Sequence, residues 1–385
     1  MSKIKVALKN KKTGKETIIG DDYLAVVAPY GLSPTHSSIE EELYKIDIAE
    51  TFKADMVKDN TIGRREWFEL IKRVRDHTDL CVGASVTITA ANIAYSRNEK
   101  HRENPKEGDF YKAFEILSEY CDSIEVFPTV TLESLEMVNR SQRIMKNSVS
   151  RAGNIITRYI NLVNKENPFY QNFDWFLDEA AKNKITLILG NGFRAGCLED
   201  SLDDMQMYEI RLMKKFSDRA HEKGVDVIAG VYGHVKYDKN KLESIRKVLD
   251  IPTGGLCPLL TDVGCGYDHI NAAIGIFLLR DYIDWVSLIT PTEHIGLPTL
   301  KDYQEGMATI SLARHILDLT RNKKGFENDK NISKARNNLD WESMKKYSIN
   351  QYNPRWDGIE LKLGHNCSLC GPYCPLIKNE NEERK

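Results

Sequence analysis

No long basic run appears in the 385 residues of this chain, whose formal charge is −2 and whose pI is near 6.5. Without a positive stripe, binding to nucleic acid has no electrostatic footprint. Long apolar runs are missing too: Ala272 to Leu279, the most apolar stretch, falls far short of the roughly 20 residues that a bilayer-spanning helix needs. The opening Met1-Ser2-Lys3-Ile4-Lys5 lacks the apolar core of a signal peptide, so a cytoplasmic protein with reduced cysteines is expected. No G-x-G-x-x-G follows the first predicted strand, which leaves a dinucleotide-binding open sheet with little support. Internal repeats and low-complexity tracts are absent as well.

What is present starts with cysteine. Three of the eight cysteines fall in His365-Asn366-Cys367-Ser368-Leu369-Cys370-Gly371-Pro372-Tyr373-Cys374-Pro375, spaced C-x2-C-x3-C. Gly-Pro and Cys-Pro turn the backbone so that the thiols can converge, and converging thiolates bind zinc or an iron–sulfur cluster. Locally, two readings stand. One is a Cys3His zinc knuckle with His365 as the fourth ligand. The other is a [4Fe–4S] cluster on three cysteines, with one iron open to bind and split S-adenosylmethionine. Cys81, Cys121, Cys197, Cys257 and Cys265 are dispersed and read as core packing.

From residue 22 onward a short apolar run, a polar loop and an amphipathic helix recur. Predicted strands are Leu24 to Ala28, Met56-Val57, Leu80 to Val86, Ile124 to Phe127, Ile185 to Leu189, Val225 to Ala229, Leu256 to Leu260 and Trp285 to Ile289. Ser38-Ile39-Glu40-Glu41 is a capping box that opens a helix. Ile270, Ala273, Ile274, Phe277 and Leu278 form a helical stripe, as do Met205, Tyr208, Leu212 and Phe216. Strands alternating with helices predict a closed (β/α)8 barrel over residues 1–321 with a short N-terminal extension. Asn147 to Ser150 reads as a loop. Residues 322–385, charged and Asn-rich up to the cysteines, form a C-terminal arm.

Barrel chemistry sits at the C-terminal ends of the strands. Gly190-Asn191-Gly192-Phe193-Arg194-Ala195-Gly196 offers close backbone approach and a cation for an anion. Ser150-Arg151-Ala152-Gly153-Asn154 starts a helix whose N–H groups suit a phosphate or carboxylate. His234 and His294 follow two further strands and either share a metal or are unrelated loop residues. Thr261-Asp262-Val263-Gly264-Cys265-Gly266-Tyr267-Asp268-His269 gathers two carboxylates and a histidine, and Asp268 there also reads as a helix cap.

These segments resemble, in order, the radical S-adenosylmethionine enzymes related to phosphomethylpyrimidine synthase and 5-hydroxybenzimidazole synthase. The likeness is carried by Ser37 to Glu42, Val149-Ser150-Arg151, Lys165-Glu166-Asn167-Pro168, Gly264 to Ile270, Glu293 to Pro298 and the terminal Cys-Ser-Leu-Cys-Gly-Pro-Tyr-Cys. It implies a [4Fe–4S] cluster on Cys367, Cys370 and Cys374, and zinc on His234 and His294. It also implies a phosphorylated small molecule held by Ser150, Arg151, Ala152, Asn191 and Arg194. A homodimer with swapped cluster arms and a ferredoxin or flavodoxin as electron donor complete the expectation; no nucleic acid or membrane partner is expected, and no catalytic residue is assigned. The departures matter equally. The family's last cysteine gap is one residue longer, and its carboxylates stand at Asn191 and Gly230. Its fourth-strand histidine falls on Phe127 or Pro128, a tyrosine on Gly254, and its asparagine-rich first strand end reads Val26 to Tyr30. Thiamin pyrimidine synthesis is the leading expectation, yet losing partners from one pocket argues for a substrate other than aminoimidazole ribotide, or for the same ribotide handled differently. The alternatives are a 5-hydroxybenzimidazole-type synthase and a non-radical zinc-binding barrel.

Overall fold

The computed structural model describes residues 4–98, 104–321, 325–357 and 363–377. The chain falls into two compact units, residues 1–313 and 314–385. In the first, two strands, β1 (Val6–Lys9) and β2 (Glu16–Ile19), form an antiparallel hairpin. Eight more close into a barrel: β3 (Ala25–Tyr30), β4 (Met56–Asp59), β5 (Cys81–Ser85), β6 (Ser123–Val126), β7 (Thr186–Leu189), β8 (Val227–His234), β9 (Thr253–Leu259) and β10 (Trp285–Ser287). Every barrel pair is parallel, and β10 closes on β3. All eight predicted strands are therefore present, and the fold is the (β/α)8 barrel. Residues 147–150 form no strand.

The hairpin plugs the N-terminal end of the barrel. Val6, Leu8 and Ile19 bury themselves against Ala25, Val27, Met56, Cys81, Ile188, Ile228 and Trp285, so apolar area leaves water on both sides of one layer. Its turn is fixed by Asn10, whose Oδ1 accepts from Lys12 and Thr13 N–H groups at 2.8 and 2.9 Å. The Asn10 Nδ2 group donates to the Asp79 and Leu80 carbonyls just before β5.

Ser38 caps helix Ile39–Thr51 in the predicted reciprocal box with Glu41. The stripe on helix Asp268–Leu278 marks a helix but not its buried face. Ile270, Ile274 and Phe277 point outward, while Asn271, Ala272, Gly275 and Ile276 are buried. Gly275 lies against the Pro258 carbonyl, where a Cβ would clash, and Asn271 bonds Leu260 N and the Thr261 carbonyl at 2.9 and 3.0 Å. Close backbone approach at Gly275, together with the buried Ala272 and Ile276, seats this helix on the barrel.

The second unit begins inside helix Leu300–Arg321 and continues with helices Phe326–Asn337 and Trp341–Tyr347. Residues 322–324, beside the predicted start of the arm, lie outside the described residues. Its few ties include Trp341 Nε1 donating to the His365 carbonyl at 2.7 Å and Gly364 N donating to the Leu339 carbonyl.

Candidate active site

A cavity of about 370 Å³ opens at the C-terminal ends of the barrel strands, and Ser150, Arg151, Ala152, Asn191 and Arg194 all line it. The two loops that carry them meet through glycines. A Cβ on Gly153 would stand 3.0 Å from Gly192 Cα, and one on Gly192 would overlap Val130. Ser148 Oγ donates to the Gly192 carbonyl at 2.5 Å. Ser150 caps its own helix, accepting from Gly153 N at 3.3 Å, so its structural role is visible beside its place in the wall. Arg151 leans on the Asn60 carbonyl at 3.4 Å.

The loop after β7 is clamped by Glu209, from the buried face of helix Asp204–Glu222. Its carboxylate accepts from Gly192 N at 2.6 Å, Phe193 N at 3.1 Å and Thr129 Oγ1 at 2.7 Å. Burial raises this carboxyl to about 7 despite those donors. The stem of Arg194 crosses β8 at Gly233, where a Cβ would lie 3.0 Å from Arg194 Cδ. That contact explains a glycine directly before His234.

His234 and His294 come together, with ring centroids 5.4 Å apart. The Asp268 carboxylate orients His294 through Nδ1 at 2.9 Å, and Asp262 stands 3.5 Å from His234 Nε2. Burial lowers the His234 pKa and favours its neutral, ligating form. Neither ring lines the cavity, although Glu293, next to His294, does. Among the described residues no group of three or more metal-ligating side chains is assembled.

The departures have physical accounts. At Gly254 a Cβ would fall 2.0 Å from the Trp285 carbonyl oxygen and 2.6 Å from its ring, and at Gly190 one would fall 2.5 Å from the Phe127 ring, so neither space is open. At Gly230 the space stays open, with nothing nearer than 3.5 Å. Asn167 is structural: its side chain donates to the Phe127 and Val130 carbonyls at 2.7 and 2.8 Å. Sequence reasoning missed Glu209, Trp285 and an ion pair in the wall, Lys58 Nζ to Glu125 Oε1 at 2.7 Å. Four buried polar atoms of the lining, Tyr30 OH, Asn191 Nδ2, Trp285 Nε1 and Tyr303 OH, have no hydrogen-bond partner among the described residues.

In the second unit Cys367, Cys370 and Cys374 bracket one tight turn, Gly371–Tyr373, and all three are partly exposed. The Leu369 and Cys370 N–H groups point at Cys367 and lower its pKa, which favours the thiolate that metals bind.

The model of the Radical SAM ThiC family matches residues 2–381. The chain belongs to that family. Phosphomethylpyrimidine synthase of Methanocaldococcus jannaschii is 35% identical over 92% of this chain and 84% of its own length. The enzyme of the same name from Thermotoga neapolitana is 35% identical over 96% and 88%. Among solved structures, a truncated 3-deoxy-D-arabino-heptulosonate 7-phosphate synthase from Thermotoga maritima gives a TM-score of 0.47 at 10% identity, covering 83% of this chain and 94% of that one. Members of the radical SAM ThiC family use S-adenosylmethionine and an iron–sulfur cluster, and the present chain is an enzyme of that kind. No described helix is long and apolar enough to cross a membrane.

Proposed function

We propose that this enzyme performs a radical rearrangement or carbon–carbon cleavage on a small phosphorylated molecule, as a divergent relative of the phosphomethylpyrimidine synthases. The observation that carries this is the cavity wall, where Ser150, Arg151, Asn191 and Arg194 converge and buried polar atoms wait for a partner. Orphaned buried donors are costly unless a ligand satisfies them. Arg151 and Arg194 hold the anionic end, with a helix start beside them. Cys367, Cys370 and Cys374 suit a [4Fe–4S] cluster: a turn of three partly exposed thiols, one favoured as thiolate by backbone N–H groups. Held by these thiols, such a cluster would supply the electron for reductive cleavage of S-adenosylmethionine.

The chain's own residues bind the anion, keep water from the floor and position the reacting carbon. His234 and His294 would hold a zinc ion, with Asp268 fixing the orientation of one ring through its Nδ1; such an ion would polarise an oxygen of the bound molecule. A ferredoxin or flavodoxin supplies the low-potential electron. The outward stripe of Tyr267, Ile270, Ile274 and Phe277, spaced like a coiled-coil seam, supports a homodimer.

The test is an anaerobic assay of reconstituted enzyme with aminoimidazole ribotide, followed by product mass spectrometry. Asn191 and Gly230 leave two carboxylates absent, so turnover about two orders of magnitude below an ordinary pyrimidine synthase is expected, at about 1–3 kcal/mol per lost partner. 5′-Deoxyadenosine should still form. Efficient hydroxymethylpyrimidine phosphate formation would make this a standard synthase, and no 5′-deoxyadenosine under any condition would remove the radical reading.

A further inference from the structure

At Gly192 and Phe193, beyond the end of β7, side chains take over from the sheet in holding the backbone. Glu209 accepts from the two N–H groups at 2.6 and 3.1 Å. Ser148 Oγ donates to the Gly192 carbonyl at 2.5 Å, and Arg143 Nη1 donates to the Phe193 carbonyl at 2.8 Å. All four polar groups of these two residues are thus held by side chains from outside the loop. Arg143 is anchored in turn. Its Nε and Nη2 donate to the Asp203 carboxylate at 2.7 and 2.6 Å, and Asp203 caps helix Asp204–Glu222, which carries Glu209. Asp200 adds a further tie, accepting from Ile144 and Met145 N–H groups at 2.8 and 2.9 Å.

The Arg143 side chain is 3% exposed and Glu209 is 1% exposed. Among the described residues no lysine or arginine hydrogen-bonds the Glu209 carboxylate. Burying a carboxylate that way is costly, and a neutral amide oxygen would accept from the same N–H groups without a charge. Leu202, in the same loop, is buried with φ at 54°, a left-handed backbone that its surroundings must impose. The loop is therefore fixed from several sides. Neither Arg143 nor Glu209 lines the cavity, whereas Asn191 and Arg194, on either side of the held peptides, both do.

We propose that Glu209 and Arg143 are positioning residues for the anion site: by gripping the Gly192 and Phe193 peptide groups they aim Asn191 and Arg194 into the cavity and so set its affinity for an anion. Arg143 and Ser148 belong to the segment that leads into helix Arg151–Val163, so one grip holds the Arg151 and Arg194 loops in a common frame. The inference rests on the reading above that Arg194 holds the anionic end.

Calorimetric titration of the full chain with ribose 5-phosphate, beside thermal melts of each variant, tests this. Glu209→Leu and Arg143→Met should each weaken binding about tenfold. Glu209→Gln, which keeps one acceptor oxygen, should stay within about threefold of wild type. In an Arg194→Met background, Glu209→Leu should cost less than about twofold more, because the side chain it aims is gone. Wild-type affinity in both Glu209→Leu and Arg143→Met overturns the proposal. A further tenfold loss in the Arg194→Met background also overturns it, since the effect is then general rather than exerted through Arg194. If Glu209→Leu loses its cooperative melt, Arg143→Met, alone and with Arg194→Met, decides by the same criteria. Undiminished binding by Arg194→Met alone, or no binding by wild type, removes the anion reading instead, and the positioning claim falls with it.

Discussion

Cys81, Cys121 and Cys257 lie inside the barrel unit, where burial pushes their thiols up, to about 12 for Cys81. Cys367, in the second unit, is partly exposed, and the Leu369 and Cys370 N–H groups draw its pKa down. The same side chain is filler in one region and a candidate ligand in the other, and solvation makes the difference. Organisation differs in parallel. The barrel is held by a continuous apolar core, whereas among the described residues from Trp341 to Ile377 none is buried. A region without a core gains order from what it binds, so the cysteine turn should depend on its metal while the barrel does not.

The sharpest way to break that contrast is to exchange cysteines in each region for alanine. Replacing any one of Cys367, Cys370 or Cys374 should lower 5′-deoxyadenosine formation more than about 100-fold and leave the thermal midpoint of the barrel unchanged. Cys81→Ala or Cys121→Ala should do the reverse, costing about 1 kcal/mol of stability for the small cavity left behind and sparing cleavage. Chemical denaturation beside an anaerobic product assay reads both.

The strands at the barrel mouth were legible because each apolar run is bounded by polar turns, and the loops after them advertise glycine, arginine and histidine. The hairpin plug was not. Its two strands have four residues each and carry charged positions, so neither stands out until Val6, Leu8 and Ile19 meet the barrel floor. Lys58 and Glu125 are 67 positions apart in the chain, and each alone looks like an ordinary charged residue near a strand. Glu209 hides on a helix face next to a predicted apolar stripe, and only the Gly192 and Phe193 N–H groups beside it reveal its task. The outward stripe of helix Asp268–Leu278 shows that periodicity finds a helix more surely than its buried side.

Within the barrel, the rim proposed to hold the anion should respond next. Arg194→Met should weaken ribose 5-phosphate binding about tenfold or more by titration, without altering iron content. Unchanged affinity would separate Arg194 from the anion. The histidine pair comes after it: replacing His234 and His294 together with alanine should remove one zinc equivalent by elemental analysis and leave iron untouched. Loss of iron instead would tie these rings to the wrong metal.

The smallest effect concerns pH. Between about 4.5 and about 7 the folded chain retains a proton on Glu209 that the unfolded chain has released. The Glu209 contribution to stability therefore falls as pH rises through this window, since the native state holds that proton there. Glu209→Gln should flatten that part of the curve in urea titrations at several pH values. A wild-type stability that climbs across the same range, with the variant alike, would show that Glu209 is not the group in question.

The most direct measurement is iron and acid-labile sulfide in anaerobically reconstituted wild type and in the triple variant with alanine at 367, 370 and 374. Wild type should carry about four of each per chain and the variant almost none, with the same circular dichroism for both. Zinc alone in the wild type, or iron retained by the triple variant, would contradict it.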